Sequence, residues 1–327
     1  MTSTTVRNME RPLVLATGRA HPELAQDVAK ELGIELLPVS AYDFANTETY
    51  VRFSESIRGA DIFLMQSHTA PINQWIMEHL LMVDAAKRAS AHTITAVAPF
   101  FGYARQDKKG RGREPISARL MTDLLHTAGA DRLMSVDLHT AQIQGFFDGP
   151  VDHLWALPIL VDYVRTRVDL DNVTVVSPDA GRIRVAEIWA SKLGGGPLAF
   201  VHKTRDVTRP NKAVANRVVG DVKGKDCVLV DDLIDTGGTI AEAVRVIMSE
   251  GARSVTVAAT HGVLSGPAPQ RLADCGAAEV IVTDTLPIEP SKRFESLTVL
   301  SIAPLIATAI KEVFTDGSVT SLFDGNS

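Results

Sequence analysis

Apolar positions along the chain follow two periods. Short apolar runs bounded by glycine, proline or acids mark strands at 13–17, 35–39, 62–66, 94–98 and 132–138, and again at 173–176, 198–201, 227–230, 254–260, 280–283 and 297–301. Between them, apolar residues recur every three or four positions, the period of a helix with one buried face. Helices are therefore expected at 22–32, 71–89, 116–128, 157–167, 240–248 and 304–314, with another after Asp179 that ends at Leu193. Leu24, Val28 and Leu32 make the stripe of the first, with Pro22 at its start and Gly33 past its end. Ile72, Trp75, Ile76, His79, Leu80, Val83 and Ala86 make the stripe of the second, where His79 reads as a core residue rather than a ligand. Strands alternating with helices imply parallel sheets, so the fold class is α/β.

The stretch 227–251 concentrates the most chemistry. A strand leads into Asp231-Asp232, then Asp235-Thr236-Gly237-Gly238-Thr239, then a helix stopped by Gly251, and a new strand follows at once. A loop between strand and helix meets the helix amino terminus, whose unpaired N–H groups and partial positive charge suit a phosphate. Glycines let the backbone approach a ligand, and threonines offer hydroxyls. The carboxylates suit sugar hydroxyls or a metal that carries a phosphate. A turn with an acidic cap is the simpler alternative, but three acids, two threonines and two glycines in one loop favour a phosphorylated sugar.

Other strand ends carry polar residues as well. After 94–98 comes Pro99-Phe100-Phe101-Gly102-Tyr103, and then the most basic segment, with Arg105, Lys108, Lys109, Arg111 and Arg113 against Asp107. Arg105-Gln106-Asp107 follow a strand closely, where α/β proteins place ligand contacts. Asp137-Leu138-His139 ends another strand, leaving His139 open as a metal ligand, a phosphate donor or a structural residue. Ser177-Pro178-Asp179 puts a carboxylate beside a glycine, as a ligand-facing group, a helix cap or both. Lys203 and Arg205, two apart in an extended segment, point the same way. They lead into 205–216, which fits a phosphate clamp or a lid. Phe44-Ala45-Asn46-Thr47-Glu48 reads as a connecting turn, and 142–152 as a loop at the main domain boundary.

At 327 residues the chain is long for one domain and suits two. A net charge of −6 argues against general binding to nucleic acid or anionic membranes, so a phosphate site must be a local basic cluster. Cys227 and Cys275 are the two cysteines, with Cys227 in an expected core strand, so a disulfide framework is not expected. No apolar stretch approaches the roughly 20 residues of a membrane span. The polar first nine residues lack the apolar centre of a signal peptide, so a cytoplasmic protein is expected.

Taken together, Pro99 to Asp107, Ser135 to His139, Ser177 to Asp179, Lys203 with Arg205, and the loop from Asp231 to Thr239 resemble the ribose-phosphate pyrophosphokinase family, in particular its bacterial phosphate-dependent class. The resemblance runs from about Leu13 to about Phe314. It implies two tandem type I phosphoribosyltransferase-like domains, each a mostly parallel sheet flanked by helices, with the active site between them. The expected boundaries are 10–152, 153–303 and a C-terminal helix and tail at 304–327. The implied reaction transfers the diphosphoryl group of ATP to the C1 hydroxyl of ribose 5-phosphate, with Mg2+. By the same resemblance Phe44, Asn46, Thr47, Glu48, Arg105, Gln106, Asp107 and His139 would contact ATP, and His139 and Asp179 the metal. Lys203 and Arg205 would be the catalytic pair. Arg205, Asp231, Asp232, Asp235, Thr236, Gly237, Gly238 and Thr239 would hold ribose 5-phosphate. The family further implies a homohexamer activated by inorganic phosphate. A phosphoribosyltransferase shares the loop but has no use for the ATP segments, and a catalytically silent partner would be expected to lose these groups. Two positions depart from the family's usual pattern: Thr47 stands where it commonly has glycine, and Gly237 where it commonly has alanine. Threonine takes positive φ only at a cost.

Overall fold

The computed structural model of the chain describes residues 11–203 and 216–323. These form two compact units, one taking the residues up to Leu154 together with those from Ala303 onward, the other Trp155–Ile302.

The first unit opens with β1 (Leu13–Thr17) and α1 (Pro22–Leu32), at the positions the apolar pattern predicts. The next strands are β2 (Val39–Asp43) and β3 (Thr49–Phe53), an antiparallel pair with Asp43 opposite Thr49. The strand expected at 35–39 is displaced: there Leu37 makes a lone bridge to Ala16, and the strand proper begins at Val39. The 44–48 segment is therefore the turn of a hairpin. Then come β4 (Asp61–Met65), α2 (Ile72–Arg88), β5 (Thr93–Ala98), α3 (Ser117–Ala128), β6 (Arg132–Val136) and β7 (Val151–Leu154). Five strands make one parallel sheet in the order β1-β4-β5-β6-β7. β7 falls inside the expected loop 142–152. It is short and largely half-buried, so it lacks a continuous apolar run. Ile62, Leu64, Ala96 and Leu133 meet Met82, Val83 and Ala86 of α2 in the core. The helix Ala303–Phe314, expected as an appended segment, packs against α1 in this unit.

The second unit contains α4 (Leu157–Val164), β8 (Val173–Ser177), α5 (Ile183–Lys192), β9 (Leu198–Lys203), β10 (Asn216–Val219), β11 (Asp226–Ile234), α6 (Gly238–Ser249), β12 (Ser254–Gly262), α7 (Ala268–Ala273), β13 (Glu279–Thr283) and β14 (Leu297–Leu300). The seven strands are ordered β10-β9-β8-β11-β12-β13-β14, and all neighbours are parallel except β10, which runs antiparallel to β9. Cys227, Leu229, Val255 and Val257 pack on Ile240, Val244 and Ile247 of α6. Both cysteines are buried and unpaired.

Asp226 ties down the amino end of the central strand β11. Its carboxylate accepts from Arg253 Nε at 2.7 Å and from Arg253 Nη2. It also accepts from Ser254 Oγ at 2.7 Å and from the Asp169 N–H at 3.2 Å. The Arg253 guanidinium, above all, pulls this carboxyl down to about 2. A folded-state value below the unfolded one, near 3.9, gives stability that is present above the unfolded value and is lost as pH falls towards about 2. Arg253 is half exposed, so solvent screening limits the gain. Asp226→Asn is expected to lower stability by about 1 kcal/mol at pH 7. Urea unfolding at pH 7 and pH 3 checks this: the gap between variant and wild type should narrow at the lower pH. A gap that does not change with pH would mean that the ion pair is not its source.

Candidate active site

The chain reverses direction across the second sheet between β8 and β11. From β8 it moves outward to β9 and β10, then crosses back to β11 and on through β14. A crevice outside the carboxyl ends of strands at such a switch point is where open α/β sheets bind ligands. Asp179 follows β8, and the Asp231–Thr239 stretch ends β11 and starts α6.

β11 is longer than the apolar run 227–230 suggests. It pairs with β8 only from Asp226 to Leu229, but with β12 as far as Ile234 opposite Gly262. Asp231 and Asp232 therefore lie on a strand that overruns β8. Arg182, from the turn after β8, covers them: Nη2 is 2.8 Å from Asp232 Oδ2, and Nε is 3.7 Å from Asp231 Oδ1. Asp231 also accepts from the Asp232 N–H at 2.9 Å. Burial first, and then Asp232 beside it, push the Asp231 carboxyl well above the usual range, while Arg182 opposes the rise. Two carboxylates thus stand together under one guanidinium, where hydroxyls of a sugar can bond to them.

The loop then turns into α6 through Gly237, whose φ is 70°. A side chain there would put its Cβ 3.3 Å from Ala268 Cα and 3.4 Å from Leu272 Cγ, so α7 backs the turn closely. Arg271 of α7 donates to the Thr236 carbonyl at 3.0 Å. Among the described residues no side chain caps the amino terminus of α6. Thr236 and Thr239 are exposed, Gly238 and Asp235 half-buried, so the first N–H groups of a twelve-residue helix lie among hydroxyls and small residues. That arrangement suits a phosphate.

Asp179 caps the short turn Ala180–Arg182, with Oδ1 accepting from the Gly181 N–H at 2.8 Å, rather than the helix expected to end at Leu193, whose cap position is Arg182. A cap uses one carboxylate oxygen and leaves the group able to share a cation. Lys203 is the last residue of β9, opposite Asn216 of β10. Arg205 and 204–215, the greater part of the expected lid, lie outside the described residues.

In the first unit Phe44, Asn46, Thr47 and Glu48 form the exposed tip of the β2–β3 hairpin. The turn closes through Phe44 N–H to Glu48 O and Thr47 N–H to Phe44 O, both 2.8 Å, and through Glu48 N–H to Asn46 Oδ1 at 3.2 Å. Thr47 adopts φ 71°, the left-handed conformation that its sequence position demands and its β-branch resists. Phe44 is 46% exposed and sits edge-on to Tyr42, with ring centroids 5.4 Å apart. Tyr42 stacks on Tyr50 at 4.8 Å. An exposed aromatic face of this kind can receive a flat base.

Arg105 and Gln106 are exposed, but Asp107 turns inward. It accepts from Thr140 Oγ1 at 2.8 Å and from Gln142 Nε2 at 2.6 Å. Asp107 thereby braces the Arg105–Gln106 segment against the residues that follow His139. Ser117 Oγ donates to Gln106 Oε1 at 2.7 Å and fixes the start of α3 to the same segment. His139 is half-buried, one residue after Leu138, whose N–H donates to His153 Nε2 at 2.9 Å.

Arg182 is the site residue that the sequence reading passes over. Its signal, a cation three residues after a strand-end acid, was absorbed by the expected helix. Among the described residues no three His, Cys, Asp or Glu side chains gather to hold a metal. Magnesium that keeps its waters and binds mainly through substrate phosphates needs only one or two protein groups, which a carboxylate such as Asp179 can supply.

Comparison with known proteins bears on the family and the fold. Residues 13–129 match the N-terminal domain of ribose phosphate pyrophosphokinase, and residues 197–324 a phosphoribosyl synthetase-associated domain. The ribose-phosphate pyrophosphokinase of Bifidobacterium longum is 71% identical over 317 residues, which cover 96% of this chain and 93% of the relative. That of Mycobacterium tuberculosis is 64% identical over 314 residues, covering 96% of each. The crystal structure of phosphoribosylpyrophosphate synthetase from Mycobacterium smegmatis superposes with a TM-score of 0.89 at 64% identity, over 94% of this chain and all of that one.

Strain at the hairpin tip is testable directly. Thr47→Gly is expected to stabilise the hairpin by up to about 1 kcal/mol, since relief of the left-handed strain is partly offset by the added freedom of the unfolded chain. Hydrogen exchange at the Phe44 and Thr47 amides should slow. Faster exchange in the glycine variant would show that Thr47 carries no strain.

Proposed function

The chain belongs to the ribose-phosphate pyrophosphokinase family, and on that premise we propose which of its residues serve each substrate. The enzyme transfers the diphosphoryl group of ATP to the C1 hydroxyl of ribose 5-phosphate, giving phosphoribosyl pyrophosphate and AMP. It uses ATP with Mg2+.

The observation that carries the assignment is the loop at the switch point. Carboxylates Asp231 and Asp232 lie in the overrunning part of a strand, and a helix start without a side-chain cap follows at Gly238. Asp231, Asp232 and Asp235 take the ribose hydroxyls. Thr236 to Thr239 take the 5-phosphate on backbone N–H groups and hydroxyls. Arg182 holds the two adjacent acids in place until the sugar arrives.

The nucleotide is assigned to the first unit. Phe44 offers a face for the base, and Asn46, Thr47 and Glu48 offer polar groups beside it. Arg105 and Gln106 provide exposed donors for the phosphates, and Asp107 acts by bracing them. His139 and Asp179 are the groups assigned to the metal, which when bound neutralises phosphate charge and orients the transferred group. The C1 oxygen of the sugar bonds to the β-phosphorus, the bond from that phosphorus to the α–β bridging oxygen breaks, AMP leaves, and the hydroxyl proton is released. Lys203 and Arg205 stabilise the negative charge on the transferred diphosphoryl group.

Three wider features belong to the same reading. Inorganic phosphate activates through the basic segment Arg105 to Arg113. The chain self-associates, as a homohexamer; Ile116, at the cap of α3, and Leu120 and Leu124 within it are exposed at four-residue spacing, which supports a protein contact there. It works in the cytoplasm, in keeping with the finding that no helix among the described residues is long and apolar enough to cross a membrane.

Phosphorus NMR of purified protein with ATP, magnesium and ribose 5-phosphate should show AMP and phosphoribosyl pyrophosphate forming together, and only with the sugar present. Lys203→Ala should lower the rate by roughly 10²–10³, the range for loss of one charge-stabilising contact. An unchanged rate would remove Lys203 from the catalytic pair. Arg182→Ala should raise KM for ribose 5-phosphate by about tenfold, the effect of one lost charge-assisted hydrogen bond. An effect on ATP instead would contradict its placement over the sugar acids.

A further inference from the structure

The turn end of the β2–β3 hairpin is tied to the body of the first unit through one arginine. Arg19 Nη2 is 2.7 Å from Asp43 Oδ1, and Nη1 is 3.1 Å from Asp43 Oδ2. On its other edge Nε is 2.6 Å from Glu78 Oε2, and the Arg19 backbone N–H donates to Glu78 Oε1, also at 2.6 Å. Glu78 is fully buried in α2. Gln66 Nε2 gives Glu78 Oε1 another donor at 3.0 Å, and Gln66 Oε1 accepts from the Ala20 N–H at 3.2 Å. The guanidinium lies over the Trp75 ring, 5.5 Å from its centroid. Gly18 leaves no room for a side chain beside Gln66, so the backbone of 18–20 rests directly on this cluster.

Asp43 is the last residue of β2, immediately before Phe44. Besides Arg19 it accepts from Thr49 Oγ1, 2.8 Å away on the opposite strand, and from Gln74 Nε2 at 2.9 Å. Both flanks of the 44–48 turn are thus gathered on one carboxylate. Among the described residues nothing comparable holds the tip: its own hydrogen bonds are internal to the turn. The buried carboxylate of Glu78 fixes the guanidinium, the guanidinium fixes Asp43, and Asp43 fixes the two ends of the turn. Lysine cannot replace this arginine, because one ammonium cannot serve two carboxylates on opposite edges of a planar fork.

We propose that Arg19 is a positioning residue for the nucleotide, which sets the pose of the 44–48 turn by linking Asp43 to the buried Glu78. The proposal rests on the reading that this turn contacts ATP. Arg19 itself touches neither substrate. Its effect is confined to ATP affinity, and the sugar site in the second unit does not sense it.

Steady-state kinetics with ATP and ribose 5-phosphate varied separately tests this. Arg19→Lys and Asp43→Ala are expected to raise KM for ATP by about five- to twentyfold, with kcat within twofold of wild type and KM for ribose 5-phosphate unchanged. Asp43→Ala guards against misfolding, since it leaves Glu78 paired, whereas Arg19→Ala would strand a buried charge. Asp43→Glu, which keeps a carboxylate for the fork, should recover part of the loss. Phe44→Ala is the control for the turn itself. If Phe44→Ala raises KM for ATP while Arg19→Lys and Asp43→Ala do not, the positioning role is overturned and the turn assignment stands. If all three leave KM for ATP unchanged, the turn assignment fails and the proposal falls with it. A matching rise in KM for both substrates, or a fall in kcat alone, would mark a general structural role and also overturn it.

Discussion

The second unit depends on the unequal pairing of its central strand. β11 is bonded on both sides near its start, but beyond Leu229 only β12 continues to pair with it. Its backbone is still held by a ladder on one side, so Asp231 and Asp232 stay on a rigid strand rather than in a loop. On the other side, the end of β8 leaves a space that Arg182 and the Asp179 turn occupy. A site built from a strand overhang is better fixed than one built from loop alone, and preorganised groups lose less on binding. The same overhang delivers the chain into α6 without a capping side chain, which keeps the helix amino terminus available to a phosphate.

An acid placed where it cannot reach much water needs donors of the right shape, and an arginine can supply several at once. Three arginines meet this requirement in three places: Arg253 at the start of β11, Arg182 at its end, and Arg19 in the first unit. The consequences differ with the partners. Asp226, with four donors, is drawn strongly to the charged form and acts as an anchor. Asp231, with a second carboxylate at its side, is pushed the other way. Its environment favours a cation or a hydrogen-bonding hydroxyl, which accords with the sugar contact proposed for it.

Much of this was legible in the sequence wherever a side chain faces one environment along a whole element. α1 and β5 lie within a residue of where the apolar spacing places them, because their buried faces are continuous. Elements that mix exposure were missed or displaced. β3 and β7 are largely half-buried, with few fully buried positions to give a pattern, and β2 begins where the apolar run 35–39 ends. The acids of β11 hid its last residues, since carboxylates read as loop unless the neighbouring strand is known. His79 was read correctly as a core residue: it is fully buried, with Nε2 bonded to the Leu64 carbonyl at 3.0 Å. Asp107 went the other way. Its basic, glycine-containing surroundings suggest an exposed ligand contact, yet its carboxylate is satisfied by Thr140 and Gln142, a pairing that no local spacing announces.

The hairpin tip joins these two themes. Thr47 keeps a left-handed backbone that glycine would adopt at less cost, so the tip is strained and by itself would open readily. Arg19 and Asp43 confine that strain to the turn by fixing both of its ends. A turn held at the base and strained at the tip has a restricted set of shapes. On the proposed nucleotide reading, an exposed aromatic such as Phe44 meets the base with less conformational freedom to lose. The threonine and the arginine are therefore read best as one device, in which the tertiary anchor compensates for the unfavourable residue.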